Sequence, residues 1–221
     1  MSVIVDSAGT RIHYVLSGQP GGSPVMLVHG FPQSWRCSTR PGRAGVPIAE
    51  WFAVCARAHG AFDLEIIDLG EVDLPFMDEP NHPRLRRYVH DHTKAWSARV
   101  DAADAFVFVT PEYNYGFTAP LENPIDYLHE EWQHKPVGFV SYGGVAAGTR
   151  AVQKLKQVVT TLKMVPLVEA VSIPFHPQFI DEDGVVQAND VMEQAAAAML
   201  AELATVESWL RRRRAELRAA A

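Results

Sequence analysis

The sequence predicts an α/β fold in which a parallel sheet carries helices on both faces. Strand-like and helix-like segments alternate from residue 46 to the C-terminal region, which is the pattern of parallel strands joined by helical crossovers. Two short runs, 105–109 and 137–140, are apolar without interruption, as strands buried on both faces are. Each runs into a loop of aromatic, amide or glycine residues. Open α/β sheets hold ligands beyond the carboxyl ends of their strands, so these two loops mark one candidate site.

The elements follow in order. Segments 3–5 and 11–16, divided by Ser7-Ala8-Gly9-Thr10, read as a β-hairpin, and 18–24 as a loop before a strand at 25–28. Residues 46–58 carry Ile48, Trp51, Phe52 and Cys55 at helical spacing, and His59-Gly60 ends that helix. Residues 62–69 read as a strand whose Asp63, Glu65 and Asp68 suggest an exposed edge. Three prolines make 74–83 a loop. Residues 84–100, with Leu85, Tyr88, His92 and Trp96, read as a helix leading to the strand at 105–109. Asn123-Pro124 resembles an N-cap with proline at the first helical position, opening a short helix through Glu131. After the strand at 137–140, residues 148–162 are amphipathic, 165–173 strand-like, and 188–218 a long alanine-rich helix. There is no evident internal repeat.

Composition bounds the function. A chain of 221 residues with 48% apolar and 21% charged residues suits one sizeable globular domain. Its net charge of −6 disfavours nonspecific nucleic-acid binding. The four arginines at 211–214 read as a solvated helix end complementing the dipole. Cys37 and Cys55 form neither a CxxC nor a zinc pattern, so reduced thiols in a cytoplasmic protein are expected. No apolar run reaches the length of a membrane span, and Asp6 and Arg11 interrupt any signal-like segment. Neither a membrane nor a nucleic-acid partner is expected. His90 and His92, two apart on the expected helix, should point to different faces, which argues against a shared metal. Trp51, Trp96, Trp132 and Trp209 read as core or interface residues.

The candidate site has three pieces. Residues 38–45 offer Ser38, Thr39, Arg40, Arg43 and Gly45 just ahead of a helix, a setting that suits a phosphate dianion. Alone, such a loop commonly just caps a helix. The second piece is Thr110-Pro111-Glu112-Tyr113-Asn114-Tyr115-Gly116, which could equally pack against a neighbouring subunit. The third is Ser141-Tyr142-Gly143-Gly144, followed by Gly148 and Arg150, where paired glycines let backbone N–H groups approach a flat ligand.

In order and spacing, these pieces resemble the NAD(P)H-dependent FMN reductase family of flavodoxin-like proteins over about residues 37–210. The resemblance implies a flavodoxin-like, doubly wound parallel sheet of five strands, here with an extra N-terminal β-hairpin. It implies FMN and NAD(P)H as cofactors. Ser38 and Arg40 match the family's phosphate-binding serine and arginine, with Thr39, Arg43 and Gly45 in the same loop; Arg43 and Gly45 stand where many members have serine and asparagine, and Cys37 replaces a usual glycine. Pro111, Glu112, Tyr113, Asn114 and Tyr115 are implied as backbone contacts to the flavin ring. Ser141, Tyr142, Gly143 and Gly144 are implied near its pyrimidine carbonyls, where amides favour negative charge. Glu122 and Pro124 depart from the family's common lysine and alanine. The implied activity passes hydride from NAD(P)H to the flavin and then electrons to a quinone, azo, metal-oxyanion or flavin acceptor, with no protein acid or base obviously required. A chain without GxGxxG after a strand fits a nicotinamide that visits rather than resides. Homodimers or homotetramers, in which the partner helps to enclose the flavin, are common in the family.

A second resemblance competes at the N-terminus. His29-Gly30-Phe31-Pro32-Gln33-Ser34-Trp35 resembles the opening of an α/β-hydrolase of the epoxide hydrolase type, whose HGFP loop serves an oxyanion or halide site. The nucleophile elbow is incomplete: Gly143 follows Ser141, but Phe139 stands where the first glycine belongs. His176, between Phe175 and Pro177, is the available late histidine. Residues 1–36 are therefore expected to be a foreign extension, from gene fusion or recombination, ahead of a flavin domain at 37–221. The domain's first strand is then either 25–28 with an enlarged loop or a poor strand at 33–37. Two alternatives to an oxidoreductase stay open: an esterase or epoxide hydrolase, which needs Ser141 within reach of a histidine, and a noncatalytic fusion product.

Overall fold

The computed structural model describes residues 2–7, 10–15, 17–18, 22–32 and 44–220, with side chains described at 22–28 and 44–220. Four strands come first: β1 (Ser2–Ser7), β2 (Thr10–Val15), β3 (Ser17–Gly18) and β4 (Ser23–Pro32). They are followed by α1 (Gly45–His59), β5 (Phe62–Asp68), α2 (Leu69–Val72), α3 (Asp91–Ala102), β6 (Ala105–Pro111) and α4 (Ala119–Asp126). The chain continues with β7 (Pro136–Gly143), α5 (Thr149–Thr161), β8 (Val165–Pro166), β9 (Val171–Pro174) and α6 (Asp190–Ala219). β1 and β2 pair antiparallel as a separate ribbon.

The main sheet carries five parallel strands in the order β5-β4-β6-β7-β9. Two-residue strands trim its margins, β3 antiparallel to β5 and β8 beside the start of β7. Of the two candidate first strands, the earlier takes the position. β4 pairs with β5 from Ser23↔Phe62 to His29↔Asp68 and with β6 from Val25↔Ala105 to His29↔Val109. Residues 23–32, placed by their sequence in the N-terminal extension, thus form an interior strand. The later candidate, 33–37, and the boundary at residue 36 lie outside the described residues.

The alternation along β4 shows why the position suits it. Val25 and Leu27 join one core with Ile48 and Phe52 of α1 and Met199 and Leu203 of α6. Met26 and Val28 join the other, with Trp96 of α3, Leu121 and Ile125 of α4, and Val152 and Leu155 of α5. All four are at most 2% exposed. Helices on both faces give the doubly wound arrangement that the alternation implied. Gly138 in β7 is small for a packing reason, because a Cβ there would lie 3.0 Å from the Met199 sulfur.

Several boundaries differ from those the sequence predicts, each for a tertiary reason. The helix expected over 84–100 starts only at Asp91; residues 83–85 form a 3-10 turn, and Arg86 takes φ 48°. Glu79 accepts hydrogen bonds from the Val89 and His90 N–H groups. Arg86 and Tyr88 are drawn to the buried carboxylate of Glu131. α4 starts before the expected Asn123 cap, with Thr118 at the N-cap position and Pro120 in the first turn. Asn123 instead donates to Pro75 O and accepts from Met77 N, holding the 75–77 loop. The strand expected over 165–173 breaks into β8 and β9. Between them, Glu202 takes the N–H groups of Val168 and Glu169, and Lys156 donates to Leu167 O, so side chains of α6 and α5 stand in for ladder bonds.

The arginine run at 211–214 is not uniformly solvated. Arg214 is buried and reaches Asp104 at 2.5 Å, His134 O at 2.7 Å and Glu207 at 3.4 Å. Arg211 pairs with Asp104 and Glu207 and donates to the Ser23 hydroxyl. This network ties α6 to the starts of β4 and β6. Trp209, expected in a core or interface, is exposed. Among the described residues no helix is long and apolar enough to cross a membrane.

Two substitutions test this packing by urea unfolding. Leu27→Ala, in β4, should lower stability by about 3 kcal/mol, as truncation of a closed core site does. Arg214→Met should cost about 3 kcal/mol, because it leaves carboxylates at a buried pair without one of their cations.

Candidate functional site

Parallel register brings the two loops together. β6 and β7 align with Thr110 opposite Ser141 and Pro111 opposite Tyr142, and β9 places Pro174 opposite Gly143. The chain therefore leaves the sheet at one level on neighbouring strands. Beyond β6, Tyr113 and Gly116 exchange backbone hydrogen bonds, each 2.9 Å. Asn114 (φ 50°) and Tyr115 (φ 64°) are the two central residues, both left-handed as a type I′ turn requires. Asparagine tolerates that conformation, whereas tyrosine is strained in it, by on the order of 1 kcal/mol.

Glu112 stabilises this hairpin. Its carboxylate is nearly buried and accepts the Arg150 backbone N–H at 3.1 Å and the Arg150 Nε–H at 2.5 Å. The carboxylate thus caps the N-terminus of α5, where negative charge meets the positive end of the helix dipole. The Arg150 guanidinium lies 3.8 Å from the centre of the Tyr115 ring. Glu112 holds its Arg150 pKa above the ordinary guanidinium value.

The second loop is fixed from below. Ser141, fully buried, donates its hydroxyl to Ala147 O at 2.8 Å. Gly148 has φ 79°, and a Cβ there would lie 2.8 Å from the Ser141 Cβ and 2.9 Å from Tyr142 N. The start of α5 is thereby pressed onto the end of β7. Tyr142 is buried edge-on against the His176 ring at 5.0 Å, and His176 Nδ1 lies 3.3 Å from Gly143 O. Burial lowers the His176 pKa, so the ring is neutral near pH 7.

The donor set fits a flat heterocycle with carbonyl groups. The backbone N–H groups of Asn114, Tyr115, Gly144 and Val145 make no hydrogen bond among the described residues, and a Cβ at Gly144 would meet nothing within 4 Å. Tyr113, Tyr115 and Val145 are exposed around them. Gly45 is the first residue of α1, whose first turn carries no acidic side chain to compete with an anion. Ser38, Thr39, Arg40 and Arg43 lie outside the described residues. Of the expected site residues, the structure thus brings Pro111, Glu112, Tyr113, Asn114 and Tyr115 beside Ser141, Tyr142, Gly143 and Gly144. The side chains of Glu112, Ser141 and Tyr142 have internal roles, bonding Arg150, bonding Ala147 O and packing on His176.

Other expectations resolve here. Among the described residues the geometry required of a hydrolase is not met, since the Ser141 hydroxyl donates a hydrogen bond to Ala147 O while His176 turns to Gly143 O. His90 and His92 do not face apart: His90 is the extended N-cap residue of α3, and the two rings stack 5.1 Å apart at 7°. Both Nε2 atoms turn to Asp78, at 3.3 Å from its carbonyl and 3.0 Å from its carboxylate. Among the described residues no group of three or more histidine, cysteine or acidic side chains could hold a metal. No local signal marks the pairing between Glu112 and Arg150, which are 38 positions apart.

Gly148→Ala should lower stability by about 2 kcal/mol or more in urea unfolding, since the left-handed backbone and the close approach both oppose a Cβ. Ser141→Ala should cost about 1 kcal/mol, the value of one hydrogen bond.

Residues 35–178 match the NADPH-dependent FMN reductase family. The chain is 42% identical over 141 residues to an NAD(P)H-dependent FMN reductase of Schizosaccharomyces pombe, covering 62% of this chain and 70% of that one. It is 29% identical over 154 residues to an NAD(P)H:quinone oxidoreductase of Solanum tuberosum, covering 67% of this chain and 77% of that one. In fold it is similar to the flavoenzyme NAD(P)H:(acceptor) oxidoreductase of Paracoccus denitrificans, with a TM-score of 0.60 at 20% identity over 86% of this chain and 98% of that one. With three segments in order, a five-stranded parallel sheet and a match over most of its length, the chain belongs to the NADPH-dependent FMN reductase family.

Proposed function

We propose that this protein is an FMN-dependent NAD(P)H oxidoreductase. Bound FMN supplies the redox chemistry, taking hydride from NAD(P)H and passing electrons to a quinone, azo, metal-oxyanion or flavin acceptor. The reading is carried by family membership together with the open amides of the two strand-end loops, which suit a planar ring bearing carbonyls.

Within this reading, the backbone of Pro111, Glu112, Tyr113, Asn114 and Tyr115 borders the ring on one side. Ser141, Tyr142, Gly143 and Gly144 border it on the other, with the Gly144 and Val145 N–H groups as donors that favour negative charge. Ser38, Thr39, Arg40 and Arg43 hold the phosphate ahead of Gly45 at the start of α1. Tyr115 and Val145, with Phe175 also exposed nearby in sequence after β9, give the site an apolar rim. Such a rim suits cover by a second subunit, so the protein works as a homodimer or homotetramer in the cytoplasm. Residues 1–36 derive from a fusion or recombination whose last strand serves as the first strand of the sheet.

The test is a visible absorption spectrum of the purified protein with and without FMN, followed by anaerobic addition of NADPH and then NADH. A bound flavin band that bleaches with either nucleotide is expected. A protein that takes up no FMN under any condition would sink the reading.

A further inference from the structure

We propose that Arg150 is a positioning residue, one that sets the separation between the hairpin after β6 and the loop after β7 and so the width of the slot between them. The inference rests on the flavin reading above and deepens it.

The contacts form a closed circuit. Gly148 presses the start of α5 onto Ser141 and Tyr142 at the end of β7. Two residues later, the Arg150 backbone N–H and guanidinium both bond Glu112, at the end of β6. On the Arg150 side the anchor is therefore main chain as well as side chain. From Glu112 the guanidinium extends over the Tyr115 ring. Tyr115 is exposed and left-handed, a conformation that its turn requires and its own side chain disfavours. The cation holds that ring as one wall of the slot.

The chemistry requires arginine. A planar guanidinium can meet a carboxylate along one edge and an aromatic ring with its face, whereas an ammonium is a point charge without a face. Glu112 takes one edge of the guanidinium, and the centre of the Tyr115 ring lies 3.8 Å from it. The part of Arg150 is to place Tyr115, and a misplaced wall affects how flat ligands enter far more than it affects the reacting atoms.

Arg150→Met and Arg150→Lys would be compared with wild type in FMN titration by fluorescence quenching, thermal melting of the apoprotein, and NADPH-dependent reduction of menadione at saturating FMN. Arg150→Met should raise the FMN Kd about tenfold. It should also raise the menadione KM severalfold while leaving kcat within about twofold, the signature of lost binding rather than lost chemistry. Arg150→Lys should recover most of the FMN affinity through Glu112 but keep the raised KM. Tyr115→Leu added to Arg150→Met should raise the KM no further, because the two act as one unit. Unchanged Kd and KM in Arg150→Met would overturn the proposal. So would a collapse of the apoprotein melting temperature that Arg150→Lys does not reverse, since that would make the pair a fold contact alone. Wild type that binds no FMN would overturn the flavin reading itself, and this inference with it.

Discussion

The site depends on the parallel register between β6 and β7. With Thr110 opposite Ser141, both strands release the chain at the same height, a strand spacing of about 5 Å apart. A slip of one residue would turn every side chain to the other face and exchange the partners of two cores. That slip is blocked because Val107 and Val109 belong to one core, and Phe106 and Phe108 to the other. The hydrophobic layers thus fix where the polar backbone of the two loops can stand.

Legibility from sequence followed burial. The strands at 105–109 and 137–140 could be read because they are surrounded by apolar neighbours on both faces, which forces an unbroken apolar run. The spacing over 84–100 extends the helix too far, because nothing local reveals that Arg86 and Tyr88 are drawn to Glu131. The helix near Asn123 was started late for a similar reason: an asparagine before proline is a good local cap, but this one bonds the loop at 75–77. Residue types place the two loops just past apolar strands, and the structure has them at the ends of β6 and β7. Residue types do not reveal that Glu112 and Ser141 turn inward, since that depends on Arg150 and Ala147, which reach them only once the chain has folded.

The place of β4 inside the sheet has a simple physical reading. An interior parallel strand must supply aliphatic side chains to two cores and backbone bonds to two neighbours. Val25, Met26, Leu27 and Val28 meet those demands whatever their history. A strand of this kind is interchangeable between α/β architectures, whereas the loop that follows it carries the chemistry.

The network of Arg211 and Arg214 has a consequence for how the protein is made. α6 is synthesised after every strand of the described sheet, and it supplies Met199, Leu200 and Leu203 to one face of that sheet while its arginines reach the starts of β4 and β6. Until it is synthesised, that face of the nascent sheet is uncovered and sticky. A chain stopped before α6 would therefore be a substrate for chaperones and proteases rather than a smaller working protein, which makes synthesis of α6 a condition for escape from quality control.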